Sequence, residues 1–248
     1  MYEERPALLA GAVLWTAETD PTAPARPILP DGCMDLIWAD GRLLVAGPDT
    51  RAHVPTDTAA RYAGLRFAPG DAPRVLGVPA RELRDRLVPL DALWDAARAR
   101  RTGERLTEAP DPATALEEFV RLRAAGAPAP DPLLRAVVAR LAAGRPVAET
   151  ADAVGLGARQ LHRRSLDAFG YGPKTLARIL RLQRALALVR SGVPYAETAA
   201  RAGCADQAHL SREVRALTGT TLGAYTASSA SASANNDTAH PSGSSTTA

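Results

Sequence analysis

The chain has 248 residues, of which 46% are hydrophobic and 23% charged, the composition of an ordinary globular protein. This length predicts one or two domains with a substantial core, and no run approaches the roughly 18 uncharged apolar residues of a membrane helix. The chain has two cysteines, and Glu3 and Glu4 stand where a secretory signal would carry positive charge. We therefore expect a cytoplasmic protein with free thiols, no disulfide framework and no membrane partner.

Positive charge is concentrated in one part of the chain. Residues 1–130 hold 16 Lys and Arg against 19 Asp and Glu, whereas residues 131–225 hold 14 against 7. An excess of this kind favours a polyanionic partner such as nucleic acid. Lys174 is the only lysine, so an arginine-rich composition of the whole chain is an alternative explanation.

The stretch from Ala124 to Pro132 is rich in Pro and Ala and ends in Asp131-Pro132, a favoured helix start. We therefore predict an N-terminal domain at 1–128 and a second domain at 131–225. From 226 to 248 the sequence is a low-complexity Ser/Thr/Ala tail. We expect this tail to be disordered, because it has almost no large apolar side chains, and we assign no role to its His240.

The N-terminal domain is predicted to be β-rich with trailing helices. Strand-like runs at Ala7–Trp15 and Arg61–Phe67 flank a predicted hairpin at Cys33–Val45, whose Asp-Gly step favours a tight turn. Asp91 and Asp111 are candidate N-caps of two later helices. This order indicates an α+β domain and is compatible with a barrel-like sheet.

The second domain is predicted to be all-α and contains an internal repeat. The motif Val147–Ala151 recurs at Tyr195–Ala199, and Gly155 recurs at Gly203. An alanine four residues before a glycine, followed by a second amphipathic segment, is helix-turn-helix spacing, because the small side chain lets two helices cross closely. The sequence therefore predicts two helix-turn-helix units joined by a long amphipathic helix over Lys174–Ser191.

The second helix of each unit, predicted at Ala158–Phe169 and Asp206–Leu217, has a polar side. Its Arg, His, Gln and Ser side chains are those that read base edges in a major groove, although a solvated helix face would have a similar composition. Double-stranded DNA is the predicted partner. The candidate base-contacting residues are Arg159, His162, Arg163, Gln207, Ser211 and Arg212.

The region from about 133 to 225 resembles the DNA-binding domain of AraC/XylS-type transcription regulators. GLGARQLHRRSLDAFGYGPKTLARILRLQRALALV is similar to the first motif and linker helix of that family, and GCADQAHLSREVRALTGTTLGAY is similar to its signature around the second motif. Ser165 and Val214 stand where the family usually has phenylalanine, and the closing Thr221-Leu222 lacks its usual proline. The preceding region is similar to an uncharacterised N-terminal module that is found joined to such domains.

This resemblance implies a regulator that binds promoter DNA through both motifs and is controlled through its other domain by a small-molecule effector, by dimerisation as a homodimer, or by both. It places base contacts at the six residues named above. Phosphate contacts are assigned less specifically, since most protein–DNA contacts position the protein without reading sequence. The candidates are Arg164, Lys174, Arg178 and Arg181.

Trp38, Arg66 and Phe67 are candidates for an effector pocket, because aromatic walls and one fixed charge suit an anionic or aromatic ligand, although core packing explains the aromatic residues equally well. The alternative function is thiol-based enzymatic or redox-sensing chemistry at Cys33, with Asp35 and His53 as the other candidates. A protein-interaction module with degenerate motifs is a third interpretation. We expect no enzyme, no cofactor and no metal site, and we expect Cys204 to be a core residue.

Overall fold

The computed structural model describes residues 2–20, 27–55 and 59–233, with side chains up to Ala227. The N-terminal half contains six strands, Tyr2–Pro6 (β1), Val13–Glu18 (β2), Asp35–Ala39 (β3), Arg42–Ala46 (β4), Arg61–Arg66 (β5) and Leu87–Pro89 (β6). Its helices are Ala72–Leu76 (α1), Ala96–Glu108 (α2) and Pro112–Ala125 (α3), with short 3-10 helices at Ala80–Glu82 and Leu90–Ala92.

The strands form one antiparallel sheet in the order β1-β2-β5-β3-β4-β6. Within the described residues β1 and β6 are edges that do not pair with each other, so the sheet is open and the barrel-like expectation is wrong. Helices α2 and α3 pack on one face, where Leu36, Leu65 and Leu116 are buried in a common core. Because these helices cover the apolar face, the sheet does not need to close on itself.

Two local predictions are corrected in this half. The run Ala7–Trp15 is not one strand, because a loop closed by the hydrogen bond from the Ala7 N–H to the Ala12 carbonyl separates β1 from β2. Asp91 does not cap a long helix, since it lies in a 3-10 turn and Asp95 caps α2 by accepting from the Arg98 N–H. The hairpin of β3 and β4 and the cap of α3 by Asp111 are confirmed.

The C-terminal half is helical. Its elements are Pro132–Ala142 (α4), Val147–Ala153 (α5), Ala158–Phe169 (α6), Pro173–Arg190 (α7), Tyr195–Ala202 (α8), Gln207–Thr218 (α9) and Leu222–Ser233 (α10). Helix α7 contributes to two cores. Leu176 and Ile179 pack with the elements before it, and Leu182 and Leu186 pack with those after it. The predicted α+β and all-α halves are confirmed.

The domain division at 128/131 remains a proposal. One hydrophobic core draws on residues between Ala7 and Ala124, whereas two others draw on residues from Leu133 onward together with Leu29. The structure differs from the predicted tail at 226–233, which continue α10 as a helix. This helix starts from the buried Leu222, and alanines recur along it among serines. The rest of the predicted tail, 234–248, including His240, lies outside the described residues.

Candidate nucleic-acid interface

The first repeated unit is formed by α5 and α6. Between them, Gly155 has φ +66°, and the small Ala151 is buried where the two helices meet. Leu161 is fully buried on the inner side of α6. The inner side of this helix is therefore fixed by packing, and its other side is left to solvent.

The second unit, formed by α8 and α9, repeats this construction. Gly203 has φ +79°, and Ala199 and Leu210 are buried at the positions equivalent to those in the first unit. Asp206 caps α9 by accepting a hydrogen bond of 2.6 Å from the His209 N–H. Cys204 is buried in this core as predicted, and burial raises the pKa of its thiol.

The outer sides of α6 and α9 carry the predicted base-contacting residues. Five of them have exposed side chains: Arg159, Arg163, Gln207, Ser211 and Arg212. In the described part of the C-terminal half, the ion pairs involve other cations, so the three arginines among these five have no carboxylate partner there. Two exposed faces with unpaired donors suit contact with base edges and phosphates.

Comparison with known families identifies this region. Residues 150–228 match a family model described as a helix-turn-helix domain (HTH_18), and residues 12–89 match a domain of unknown function (DUF6597). The C-terminal domain is a helix-turn-helix domain of the AraC type. A domain of this type supports a role in DNA-binding transcription regulation. A search of curated proteins gave no significant match.

Among solved structures, the chain is similar to ToxT from Vibrio cholerae. An apo ToxT variant from strain SCE256 shares 8% identity at a TM-score of 0.46, with 87% of this chain and 97% of that chain covered. Unsaturated fatty acid-bound wild-type ToxT from the same strain shares 11% identity at a TM-score of 0.43, with 91% and 96% covered.

His162 differs from the other candidates on the helix-turn-helix domain. Its side chain is exposed, but the ring lies against the turn between α6 and α7, where a Cβ added to Gly172 would be 2.7 Å from the imidazole Cε1. The imidazole therefore lies close to the backbone of Gly172, just after α6. The ring therefore packs on the turn and does not project freely like Arg159 and Arg163.

The predicted phosphate-contacting residues fall into two groups. Lys174 is exposed and Arg181 is partly buried, whereas Arg164 lies 3.5 Å from Asp131. Arg178 forms a bidentate ion pair with Glu213 of α9, with Nε and Nη2 at 2.9 and 3.2 Å from the carboxylate oxygens, and this contact lowers the pKa of Glu213. Arg178 therefore holds α9 against α7, which the sequence analysis did not foresee.

Arg184 is a structural residue that the sequence analysis missed. Its Nη1 donates to the Ala142 carbonyl at 3.0 Å and its Nη2 donates to the Ala202 carbonyl at 2.8 Å. These carbonyls lie at the C-terminal ends of α4 and α8, where backbone acceptors lack intrahelical partners and a cation is favourable. One side chain of α7 thus caps a helix on each side of it.

The N-terminal half contacts the helix-turn-helix domain at several points. The Phe169 ring packs beside Gly70, where an added Cβ would lie 2.7 Å from the ring Cε1. The Gln183 side-chain amide donates to the Pro30 carbonyl at 2.7 Å. The Ala52 N–H donates to the Leu217 carbonyl at 2.7 Å, and Arg81 forms an ion pair with Asp167. These contacts reach α6, α9 and the helix α7 between them.

The three predicted effector-binding residues do not form one pocket wall. Trp38 and Phe67 are buried in the core under the helices, whereas Arg66 lies on the opposite face of the sheet, because successive strand residues point to opposite faces. There the Arg66 Nε lies 3.3 Å from Asp31 and 3.6 Å from Asp35. Trp38 borders a cavity of about 340 Å³, which neither Arg66 nor Phe67 lines.

The alternative site at Cys33 has an environment that disfavours a reactive thiol. Burial and then the nearby Asp31 carboxylate raise the pKa of Cys33 well above its ordinary value, so the nucleophilic thiolate is disfavoured. His53 lies near Asp49, with its Nδ1 at 3.3 Å from the carboxylate. Among the described residues no cluster of three or more metal-binding side chains exists, and no helix has the length and apolar character needed to span a membrane.

Proposed function

We propose that this protein regulates transcription by placing α6 and α9 in successive major grooves of promoter DNA. One observation carries this proposal. On the helix that follows each turn, the two repeated units present exposed arginines that have no carboxylate partner among the described residues. Base reading by Arg159, Arg163, Gln207, Ser211 and Arg212, with His162 beside them, is part of the proposal. So are phosphate contacts from Arg164, Lys174 and Arg181.

The helix between the units supports a fixed spacing. With 18 residues at about 1.5 Å each, α7 is about 27 Å long. Arg178 and Arg184 join it to the neighbouring helices through charged hydrogen bonds. Half-sites read from one side of B-form DNA lie about 34 Å apart, and two units held by such a helix suit that separation.

Control through the N-terminal half is the second part of the proposal. Its support is the set of contacts from Pro30, Ala52, Gly70 and Arg81 to the helix-turn-helix domain. A change in the N-terminal half can therefore alter the placement of the recognition helices. A small-molecule effector, a homodimer, a cytoplasmic location and the absence of enzymatic activity belong to the same proposal.

Selection of bound sequences from random duplex DNA tests this function. We expect two half-motifs about one helical turn apart. On the selected site, Arg163→Ala and Arg212→Ala should each cost about 1–3 kcal/mol and relax the base preference of one half-motif. Arg101→Ala, which removes an exposed arginine from α2, is the matched control and should leave specificity unchanged.

An equal loss of affinity on selected and random DNA would contradict base reading by Arg163 and Arg212. Binding that does not weaken as salt concentration rises would contradict DNA binding itself, because phosphate neutralisation releases counterions.

A further inference from the structure

A second cleft lies between α1, α2, α3 and the segment that leads to the helix-turn-helix domain. Its volume is about 380 Å³, and Arg74, Arg98, Leu122, Arg123 and residues 126–128 line it. Volumes of this size suit small metabolites. The cleft is therefore a ligand-sized space whose polar side chains are all arginines.

Two of these arginines, Arg98 and Arg123, form cation–π contacts with the ring of Trp94. The guanidinium carbon of Arg123 lies 4.5 Å and that of Arg98 lies 5.5 Å from the centroid of the Trp94 ring. The ring is itself fixed, because its Nε1 donates to the Leu76 carbonyl at 2.8 Å. Both cations line the same cleft, and the charge of Arg98 acts unfavourably on Arg123, so an anion bound in the cleft would be favoured.

Neither Arg98 nor Arg123 has an acidic partner in the described part of the chain. Arg123 donates through Nη2 to the Val75 carbonyl at 2.9 Å, whereas its buried Nε has no hydrogen-bond partner there. Burial and the neighbouring Arg98 lower the pKa of Arg123, as expected where positive charges lack compensation. A charged donor without an acceptor is costly, and an oxyanion in the cleft would compensate the charge of this guanidinium.

The third arginine connects the cleft to the helix-turn-helix domain. Arg74 donates to the Pro128 carbonyl at 3.1 Å, and its Nε, 3.7 Å from Asp71, has no hydrogen bond among the described residues. Asp71 also pairs with Arg135 of α4 at 3.8 Å. One carboxylate is thus shared by two arginines, one in the cleft and one on the first helix of the next domain.

We infer that this cleft binds a small molecule bearing an oxyanion, a carboxylate or a phosphate, held by Arg98 and Arg123 with Arg74 at its edge. Guanidinium groups bind both oxyanions through paired hydrogen bonds. An anion here competes with Asp71 and the Pro128 carbonyl for Arg74. Ligand binding in the cleft would thereby alter the contacts of the connecting segment at Pro128 and of Arg135 on α4. That such a change affects DNA binding rests on the function proposed above.

Calorimetric titration of the full chain tests the site, with inorganic pyrophosphate and citrate as separate probes of the two oxyanion chemistries. We expect saturable binding of at least one probe that is about tenfold or more weaker in Arg98→Gln and Arg123→Gln. Arg121→Gln is the matched control, because this arginine also lies on α3 but pairs with Glu118. It should bind like the unaltered protein.

Because two variants, Arg98→Gln and Arg123→Gln, are compared, the test can still be decided if one of them folds poorly. Arg123 contacts Val75, so its loss can destabilise the protein, whereas the exposed Arg98 side chain makes no such hydrogen bond in the described residues. Thermal unfolding identifies a misfolded variant, and Arg98→Gln then carries the test. Lack of saturable binding by both probes, or equal binding by Arg98→Gln and Arg121→Gln, would overturn the site.

DNA binding provides the second readout. We expect either probe that binds to change affinity for the selected DNA by about threefold or more in the unaltered protein but not in Arg98→Gln. Unchanged affinity would overturn the link to the helix-turn-helix domain. Weaker DNA binding by Arg98→Gln without any probe would instead assign the cleft to DNA phosphates and overturn the small-molecule site. Failure to bind DNA would contradict the proposed function and leave the calorimetric result standing.

Discussion

Two aromatic side chains distinguish the first helix-turn-helix unit from the second at the residue scale. Helix α6 ends in Phe169 and is followed by Gly170 and Tyr171, where α9 ends in Thr218 and is followed by Gly219 and Thr220. Both glycines are left-handed, with φ +78° and +72°. Gly170 is buried against the N-terminal half, where an added Cβ would lie 2.5 Å from Pro48 Cγ. In the described part of the chain no atom would lie within 4 Å of a Cβ added to Gly219.

This pair of glycines gives a matched prediction. Gly219→Ala should lower the free energy of unfolding by about 1–2 kcal/mol, the cost of a left-handed alanine. Gly170→Ala should cost more, because the same backbone cost is joined by a collision with Pro48 and with the Ala80 carbonyl. Chemical denaturation of both variants measures the difference. Equal losses would show that the N-terminal half does not press on this turn.

The inner and outer sides of α6 and α9 could be predicted from the sequence, since Leu161 and Leu210 follow the helical period that places them in the cores. The partner of Arg178 could not, because Glu213 is 35 residues away and the pairing depends on how α9 lies on α7. Arg66 is a different case. Strand alternation already separates it from Phe67, so their shared pocket could have been rejected from the sequence.

At the scale of elements, α7 organises the helical half. Its apolar residues enter both cores, and its Arg184 caps α4 and α8 together. The helix itself was predicted from its period and from the Gly192 and Pro194 that follow it. Its capping role could not be predicted, because the two carbonyls come from helices 42 and 18 residues away.

Removal of Arg184 tests this role. Arg184→Ala should lower the free energy of unfolding by about 1–3 kcal/mol, because two helix ends lose a charged donor. Arg190→Ala is the control on the same helix, since Arg190 is exposed and donates to a carbonyl of its own helix. Thermal and chemical unfolding compare them. Similar stability of the two variants would contradict a capping role.

At the scale of the whole molecule, acidic groups of the N-terminal half lie near the first helix-turn-helix unit. Burial raises the pKa of Asp49 to about 7, with further increases from Asp85 and Asp31, while His53 lies 3.3 Å from its carboxylate. Burial raises the pKa of Asp35 to about 6 although Arg66 opposes it. Tyr171 is buried, and its pKa is raised by burial and then by the charge of Asp31.

These raised values predict a pH dependence of stability. A carboxyl group with a raised pKa binds a proton more tightly when folded, so its contribution is present below the ordinary pKa of 3.8 and is lost as pH rises through about 7. The free energy of unfolding should therefore fall between pH 5 and 7 by up to about 1 kcal/mol per pH unit from this group.

Asp49→Asn should flatten this slope, because the side chain no longer titrates. Asp152→Asn, which changes an exposed carboxylate on α5, should keep it. Denaturant titrations across this pH range measure both. An unchanged slope in Asp49→Asn would show that Asp49 is not its source.

Under the function proposed above, the unequal ends of α6 and α9 have a consequence for the DNA site. Helix α6, which ends in Phe169, packs with that ring against Gly70 of the N-terminal half, whereas α9, which ends in Thr218, contacts that half through the Ala52 hydrogen bond near its last turn. A signal from the proposed effector would therefore reach mainly the half-site that α6 is proposed to read. Mismatches there would change the range of induction, and mismatches in the other half would shift only basal occupancy.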